Sequence, residues 1–313
     1  MKKACGKYLF SLLLFGSNGI VSSHISLPSS EIVLMRTLVG SLTLIAVLAA
    51  AKKEWSFLRF KRQLAFIALS GMAMGASWIF LYEAYREIGV GIASLAYYCG
   101  PVIVMALAPL LFHERLTWTR AVGFLSVLAG IFLINGQAAL AGKPGWGIFC
   151  GAMSAVAYAV MLIFNKKAAP VTGLENAALQ LLFSFLTVAA VVGFRQGFTV
   201  PEAADWPPIL CLGLVNTGIG CYLYFSAVGR LPVQTLAVCG YLEPLSAVAF
   251  SALFLGEALR PLQIAGAALV LGGALFGETA GTFFSRFQRK KHGLTEIGTP
   301  KEAWAGMEMK RLS

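Results

Sequence analysis

The sequence predicts an all-α integral membrane protein, with ten transmembrane helices arranged as two inverted five-helix repeats around a central cavity. Three observations predict it. Hydrophobic residues make up 58% of the chain and charged residues 12%, with mean hydropathy +0.76; soluble domains carry about twice that charged fraction. Apolar runs of roughly 18 residues or more recur from end to end, the length that crosses about 30 Å of hydrocarbon. The chain also repeats itself. Pro101 and Pro244, Glu114 and Glu257, and Gly123 and Gly266 stand at one interval of 143 residues (244 − 101, 257 − 114, 266 − 123), and Ala84/Ala227 and Val90/Val233 keep the register.

The spans are expected at 8–25, 31–50, 63–82, 90–112, 118–136, 145–165, 174–194, 207–228, 233–255 and 261–281. Helices are the expected form, because lipid leaves every backbone polar group to be satisfied internally and the alternating ten-residue segments of a barrel are absent. Span one follows Lys2, Lys3 and Lys7 and has the charge pattern of a signal peptide. It is expected to be retained, because Phe15-Gly16-Ser17 falls in register with Tyr158-Ala159-Val160 of span six and each half needs its first helix. Span two carries Arg36. Spans three and four carry Trp78, Tyr82, Tyr97 and Tyr98, and span four ends at Glu114. Spans eight and nine hold Tyr222, Tyr224, Tyr241 and Glu243, with Asn216, Thr217, Gln234 and Thr235 as neutral polar groups. Gly71 with Gly75, Gly147 with Gly151, and Gly273 with Gly277 have the spacing at which helices approach closely. Span ten, the richest in such residues, serves either the bundle or a homodimer.

Orientation follows from Lys and Arg in short loops. With the N-terminus inside, one side receives Lys2, Lys3, Lys7, Lys52, Lys53, Arg59, Lys61, Arg62, Arg115, Arg120, Lys166, Lys167, Arg230 and the basic run from Arg286 to Lys291. The other receives Arg86, Lys143, Arg195 and Arg260. Both termini are therefore expected in the cytoplasm and the chain in the cell (inner) membrane as a multi-pass protein. The net charge of +11 then reflects topology, and no nucleic-acid partner is expected. Five spans per half is an odd number, so the halves, 1–140 and 141–285, are inverted, and 286–313 is a disordered, basic cytoplasmic tail.

Pro101 followed by Leu-Leu-Phe-His-Glu114-Arg-Leu, and Leu242-Glu243-Pro244 followed by Leu-Phe-Leu-Gly-Glu257-Ala-Leu, resemble the two halves of the EamA type of the drug/metabolite transporter superfamily. Phe15-Gly16-Ser17-Asn18 with Arg36 is similar to that family's first-repeat start. The resemblance covers about residues 8–281. It implies a ten-helix carrier of small organic metabolites whose cavity is lined by spans one to four and six to nine. Leu179 stands where the repeat would place a second Arg36, so the halves are not chemically equivalent.

Seven residues are expected at the substrate: Asn18, Arg36, Trp78, Tyr97, Tyr98, Tyr241 and Glu243. A mid-membrane carboxyl costs several kcal/mol unless it is paired, protonated or hydrated, so Glu243 either couples a proton to transport or locks helix packing. Pro244 beside it frees a carbonyl one turn earlier. Arg36 lies about one and a half turns from the external end of span two, within reach of the headgroups. It either snorkels outward, pairs with Asn18, or faces the cavity. Tyrosines near span ends fit the interfacial belt, which leaves Trp78, Tyr97, Tyr98 and Tyr241 as the cavity aromatics. Glu114 and Glu257 sit at helix ends, as caps, loop pairs or gates; Glu257 lies between spans nine and ten, where the N-terminal end of span ten is one partner open to it.

The function expected is a secondary transporter, an exporter of small organic metabolites such as amino acids or drug-like compounds, working by alternating access. The alternatives are a membrane-embedded enzyme or a channel acting on a lipid-like or small organic substrate. No cofactor or metal is expected. No Walker motif occurs, His24, His113 and His292 are scattered, and the six cysteines have no C-x-x-C spacing.

Overall fold

A computed structural model describes residues 2–50, 61–100, 102–104, 107, 118–140, 142, 144–168, 171, 173–195, 199–228, 231, 239–258, 260–273, 275 and 276. Pro101, Glu114, Lys143, Val233, Gln234, Thr235, Gly277, Lys52, Lys53, Arg59, Arg115, Arg230 and the tail from 286 lie outside the described residues.

The helices are α1 (Lys2–Gly16), α2 (Asn18–Ser22), α3 (Ser29–Ala50), α4 (Lys61–Ile88), α5 (Val90–Tyr97), α6 (Trp118–Leu140), α7 (Gly145–Lys167), α8 (Gly173–Arg195), α9 (Trp206–Leu210), α10 (Gly220–Val228), α11 (Leu242–Phe254) and α12 (Pro261–Gly273). A 3₁₀ turn, Ala203–Asp205, precedes α9, and a π-helical stretch, Cys211–Ile219, joins α9 to α10. Among the described residues, six helical segments are long and apolar enough to cross a membrane: Lys3–Ser22, Ser29–Ala50, Lys61–Ile88, Gly145–Lys167, Gly173–Phe194 and Ala203–Tyr224. Further apolar helices stand at α5, α6, α11 and α12. Leu42, Leu125, Phe132, Leu253 and Ile264 are exposed on the outside of the bundle. An apolar exterior on this scale belongs in lipid; the chain is a multi-pass membrane protein, helical throughout its regular elements among the described residues.

The helices are joined through their small and polar residues. Gly71 and Gly75 of α4 leave room for the Gln180 and Ser184 carbonyls of α8, and Gly147 of α7 seats the Glu87 side chain and Ile88. Ser70 Oγ lies 2.9 Å from both the Met161 carbonyl and Gln180 Oε1, which share its one O–H, and Ser77 Oγ donates to the Ser154 carbonyl (2.7 Å). Tyr8 and Leu12 of α1 are buried with Ala227 and Leu231, so the first segment packs inside the bundle.

α6 and α12 meet through repeat mates. Ser126 Oγ donates to the Leu269 carbonyl at 3.1 Å. Gly130 lies against Gly266 and Val270, and Gly273 against Ser126 and Gly123. Moving along α6 from 126 to 130 therefore moves back along α12 from 269 to 266, so the two helices run antiparallel. Each glycine faces the mate of the residue that faces its own mate.

Two breaks also fall in register. α5 stops at Tyr98 (φ −71°, ψ 1°) and α11 starts after Tyr241 (φ −68°, ψ −8°). Pro244 offers no N–H to the Gly240 carbonyl four residues back, so the helix is interrupted one turn before it. The first span breaks at Ser17, whereas its mate region in α7 is continuous. There Asn216 Nδ2 is aimed at the Leu14 carbonyl (2.8 Å), Ser17 Oγ (2.9 Å) and Asn18 Oδ1 (3.1 Å). It ties the π-helical stretch to the break.

Glu257 does not act on span ten. Its two carboxylate oxygens accept from the Val90 N–H (2.9 Å) and the Gly91 N–H (3.0 Å), closing the N-terminus of α5. Gly89 turns the chain there with φ +91°, and any side chain on it would meet the same carboxylate. Those are two unpaired donors at a helix start, where a negative charge is also favoured. In span order α5 lies far from Glu257, and only the packing of α11 beside α5 brings them together.

Candidate functional site

A cavity of about 390 Å³ lies among α1, α2, α3, α4, α5, α7, α8, α10, the turn before α11 and the start of α11. All seven sequence-predicted residues are on its wall: Asn18, Arg36, Trp78, Tyr97, Tyr98, Tyr241 and Glu243. Six pairs of repeat mates also line it: Phe15/Tyr158, Asn18/Met161, Trp78/Cys221, Leu81/Tyr224, Tyr97/Gly240 and Tyr98/Tyr241. Both halves thus contribute to the wall, although its chemistry is not symmetric.

Arg36 forms one pole. It is 2% exposed and points inward. Its Nη1 donates to the Tyr82 hydroxyl and its Nε to Thr217 Oγ1 at 3.2 Å. The guanidinium lies 4.3 Å from the Trp78 ring centre and 5.2 Å from that of Tyr82. Among the described residues no carboxylate forms an ion pair with it. A buried guanidinium held by hydroxyls and ring faces retains most of its charge for another partner. The headgroup-reaching geometry open to Arg36 in the sequence is not adopted, and neither is a pair with Asn18, whose Oδ1 accepts from Asn216 instead.

Glu243 forms the other pole. Its Oε2 accepts from the Tyr98 hydroxyl at 2.5 Å. The Gly100 position that mates with it has no side chain, and a Cβ there would strike Tyr158. The same cavity has a wall of rings. Tyr97 and Tyr158 stack at 4.4 Å with an interplanar angle of 10°, Tyr98 sits edge-on to both, and Tyr8 and Phe15 tilt against Tyr224. Neutral polar groups edge the cavity at Asn165 and Gln180, tied through Asn176: Asn176 Nδ2 donates to Asn165 Oδ1 (2.7 Å), and Gln180 Nε2 to Asn176 Oδ1 (2.9 Å).

Two tyrosines depart from the belt reading: Tyr82 is 2% exposed and bound to Arg36, and Tyr224 faces the cavity. Tyr8 and Tyr85, which no expectation covered, face it too. α4 runs on to Ile88, six residues past the expected end, which carries Tyr82 and Tyr85 into the bundle. Tyr222 remains exposed at 40%, as a belt residue would be. The repeat supplied a signal for two missed residues: adding 143 to Phe15 and Leu81 gives Tyr158 and Tyr224. For Tyr8, Tyr85, Asn165 and Gln180 the sequence has no comparable signal. Among the described residues, no group of three or more His, Cys, Asp or Glu side chains is gathered as a metal ion requires.

Comparison with known proteins follows this geometry. The chain matches the EamA-like transporter family twice, over residues 4–136 and 145–277. An uncharacterized transporter of Bacillus subtilis (strain 168), YxxF, is 26% identical over 85% of this chain and 86% of its own length. The threonine/homoserine exporter RhtA of Escherichia coli (strain K12) is 26% identical over 82% of each chain. A solved crystal structure at 20% identity shares the fold with a TM-score of 0.64, over 90% of this chain and 98% of its own.

Proposed function

The chain belongs to the EamA-like transporter family, and we propose that it is a secondary carrier that exports small organic metabolites, amino acids among them, by alternating access. The observation that carries this is the cavity wall built from repeat mates, with a free-handed cation at one pole and a carboxyl at the other. Two opposite poles about a ring-lined space suit a solute with its own separated charges, and the exporter RhtA gives amino acids a precedent among relatives. Asn18, Arg36, Trp78, Tyr97, Tyr98, Tyr241 and Glu243 are the substrate residues in this reading.

The working architecture is ten spans in two inverted five-helix repeats, 1–140 and 141–285, followed by a cytoplasmic tail at 286–313. The antiparallel contact of α6 and α12 through mates supports an in-plane two-fold axis, as inverted repeats need. The lysine and arginine bias places both termini in the cytoplasm and the chain in the cell membrane. The cavity extends to Tyr8 and Asn165, which this topology puts at the cytoplasmic ends of spans one and six, and that supports reading the state as inward-facing. Glu243 exchanges the coupling proton: it takes one up from outside as substrate leaves there, and releases it inside as the next substrate binds. Glycines of α12 not engaged with α6, such as Gly272, leave a face for a homodimer.

Reconstituted into proteoliposomes and screened against labelled amino acids, nucleosides and drug-like cations, the protein is expected to exchange at least one amino acid. Exchange of none, with the protein folded and inserted, contradicts the reading. The enzyme alternative finds no support among relatives named as transporters.

A further inference from the structure

A second cavity of about 350 Å³ lies beside the first, lined by Ser22, Ser26, Tyr82, Tyr85, Arg86 and Glu257 among others. Tyr85 is on the wall of both cavities, and Tyr82 stands next to it with ring centres 5.2 Å apart. These two rings are therefore the material between the spaces. Two arginines bracket them: Arg36 on the inner side and exposed Arg86 on the outer. The hydroxyl of Tyr82 is held by the same Arg36 Nη1 that is otherwise free to receive an anion.

We propose that Tyr82 and Tyr85 form the partition between the substrate cavity and an outer cavity, and that a carboxylate on the substrate opens it by taking Arg36 from Tyr82. The inference rests on the carrier reading and deepens it by naming a carboxylate as the group the site requires. A carboxylate accepts two parallel, charge-assisted N–H bonds from a guanidinium, whereas a phenol offers one neutral acceptor. Arg36 therefore favours the carboxylate, and Tyr82 is left buried without its donor. A ligand shifts an equilibrium only by what it binds differently in the two states, and Arg36 supplies that difference. Once the ring moves, Arg86 is the next cation on the anion's way out. Trp78, under the guanidinium at 4.3 Å, keeps Arg36 in place during the exchange.

The test uses the full chain in right-side-out vesicles. Met74→Cys puts a thiol on the inner cavity wall, and a membrane-impermeant thiol reagent is added outside, with the unsubstituted chain as blank. Tyr82→Phe keeps the ring and removes the tie; it is expected to raise the labelling rate about tenfold. On the otherwise native background, 3-phenylpropionate is expected to raise labelling and 3-phenylpropionamide to leave it unchanged. Arg36→Gln should abolish the response to 3-phenylpropionate. Unchanged labelling in Tyr82→Phe overturns the partition, and an equal effect of acid and amide overturns the carboxylate release. Labelling needs no transport, so failure of the carrier reading is seen separately in the exchange screen. If Tyr82→Phe does not insert, the acid-against-amide comparison on the Met74→Cys chain still decides.

Discussion

Ser126 donates its hydroxyl to the carbonyl of Leu269, its own mate 143 residues on. Contact between a residue and its mate occurs on a symmetry axis. Here the flanking glycines show the helices crossing antiparallel, so the local two-fold lies across the helix axes rather than along them.

This geometry predicts a cross-linking pattern. Gly130→Cys paired with Gly266→Cys should form a disulfide in membranes under mild oxidation, and Gly130→Cys paired with Gly273→Cys should not. The reverse result indicates a parallel crossing. Gly130→Val, whose Cβ would lie 2.5 Å from the Gly266 carbonyl oxygen, should destabilise the protein by about 1–3 kcal/mol, read as a lower Tm in detergent.

The Glu257 cap predicts a smaller effect. Glu257→Ala leaves the Val90 and Gly91 N–H groups without their acceptor and should cost about 1 kcal/mol. Glu257→Gln, which keeps one acceptor oxygen, should cost less. Equal Tm values for wild type and Glu257→Ala would show that water replaces the cap freely.

At the acidic pole, Glu243→Gln retains size and one acceptor for Tyr98 but removes the titrating group. The variant should insert normally, lose accumulation driven by a pH gradient, and keep substrate exchange. Accumulation at the wild-type level in Glu243→Gln assigns the residue to packing or substrate orientation.

The orientation predicts that a reporter fused after Ser285 reads as cytoplasmic and one inserted near Lys143 as external. A cytoplasmic signal near Lys143 contradicts the ten-span topology.

Much of the fold was legible because lipid is a uniform solvent. Apolar length alone predicted α3, α7 and α8 within about two residues, and the interval of 143 led to paired positions on one cavity wall. Pro244 announced the break before α11. The π-helical stretch Cys211–Ile219 was not legible, since its residues carry no distinctive propensity and neighbours decide its register. The target of Glu257 was hidden because α5 and the end of α11 meet only in tertiary packing. Arg36 had several geometries open in sequence. The choice fell to Tyr82, which became available because α4 runs past its expected end.

The most direct measurement is counterflow in proteoliposomes. Vesicles preloaded with an unlabelled amino acid, threonine first, and diluted into trace label should transiently accumulate the label above equilibrium, because a carrier couples exit of one molecule to entry of the next. Trp78→Ala together with Tyr158→Ala, which removes much of the ring wall, should abolish the overshoot with the protein still folded. Label that only equilibrates with the vesicle interior, with no overshoot for any exchanged solute, describes an open path and contradicts alternating access.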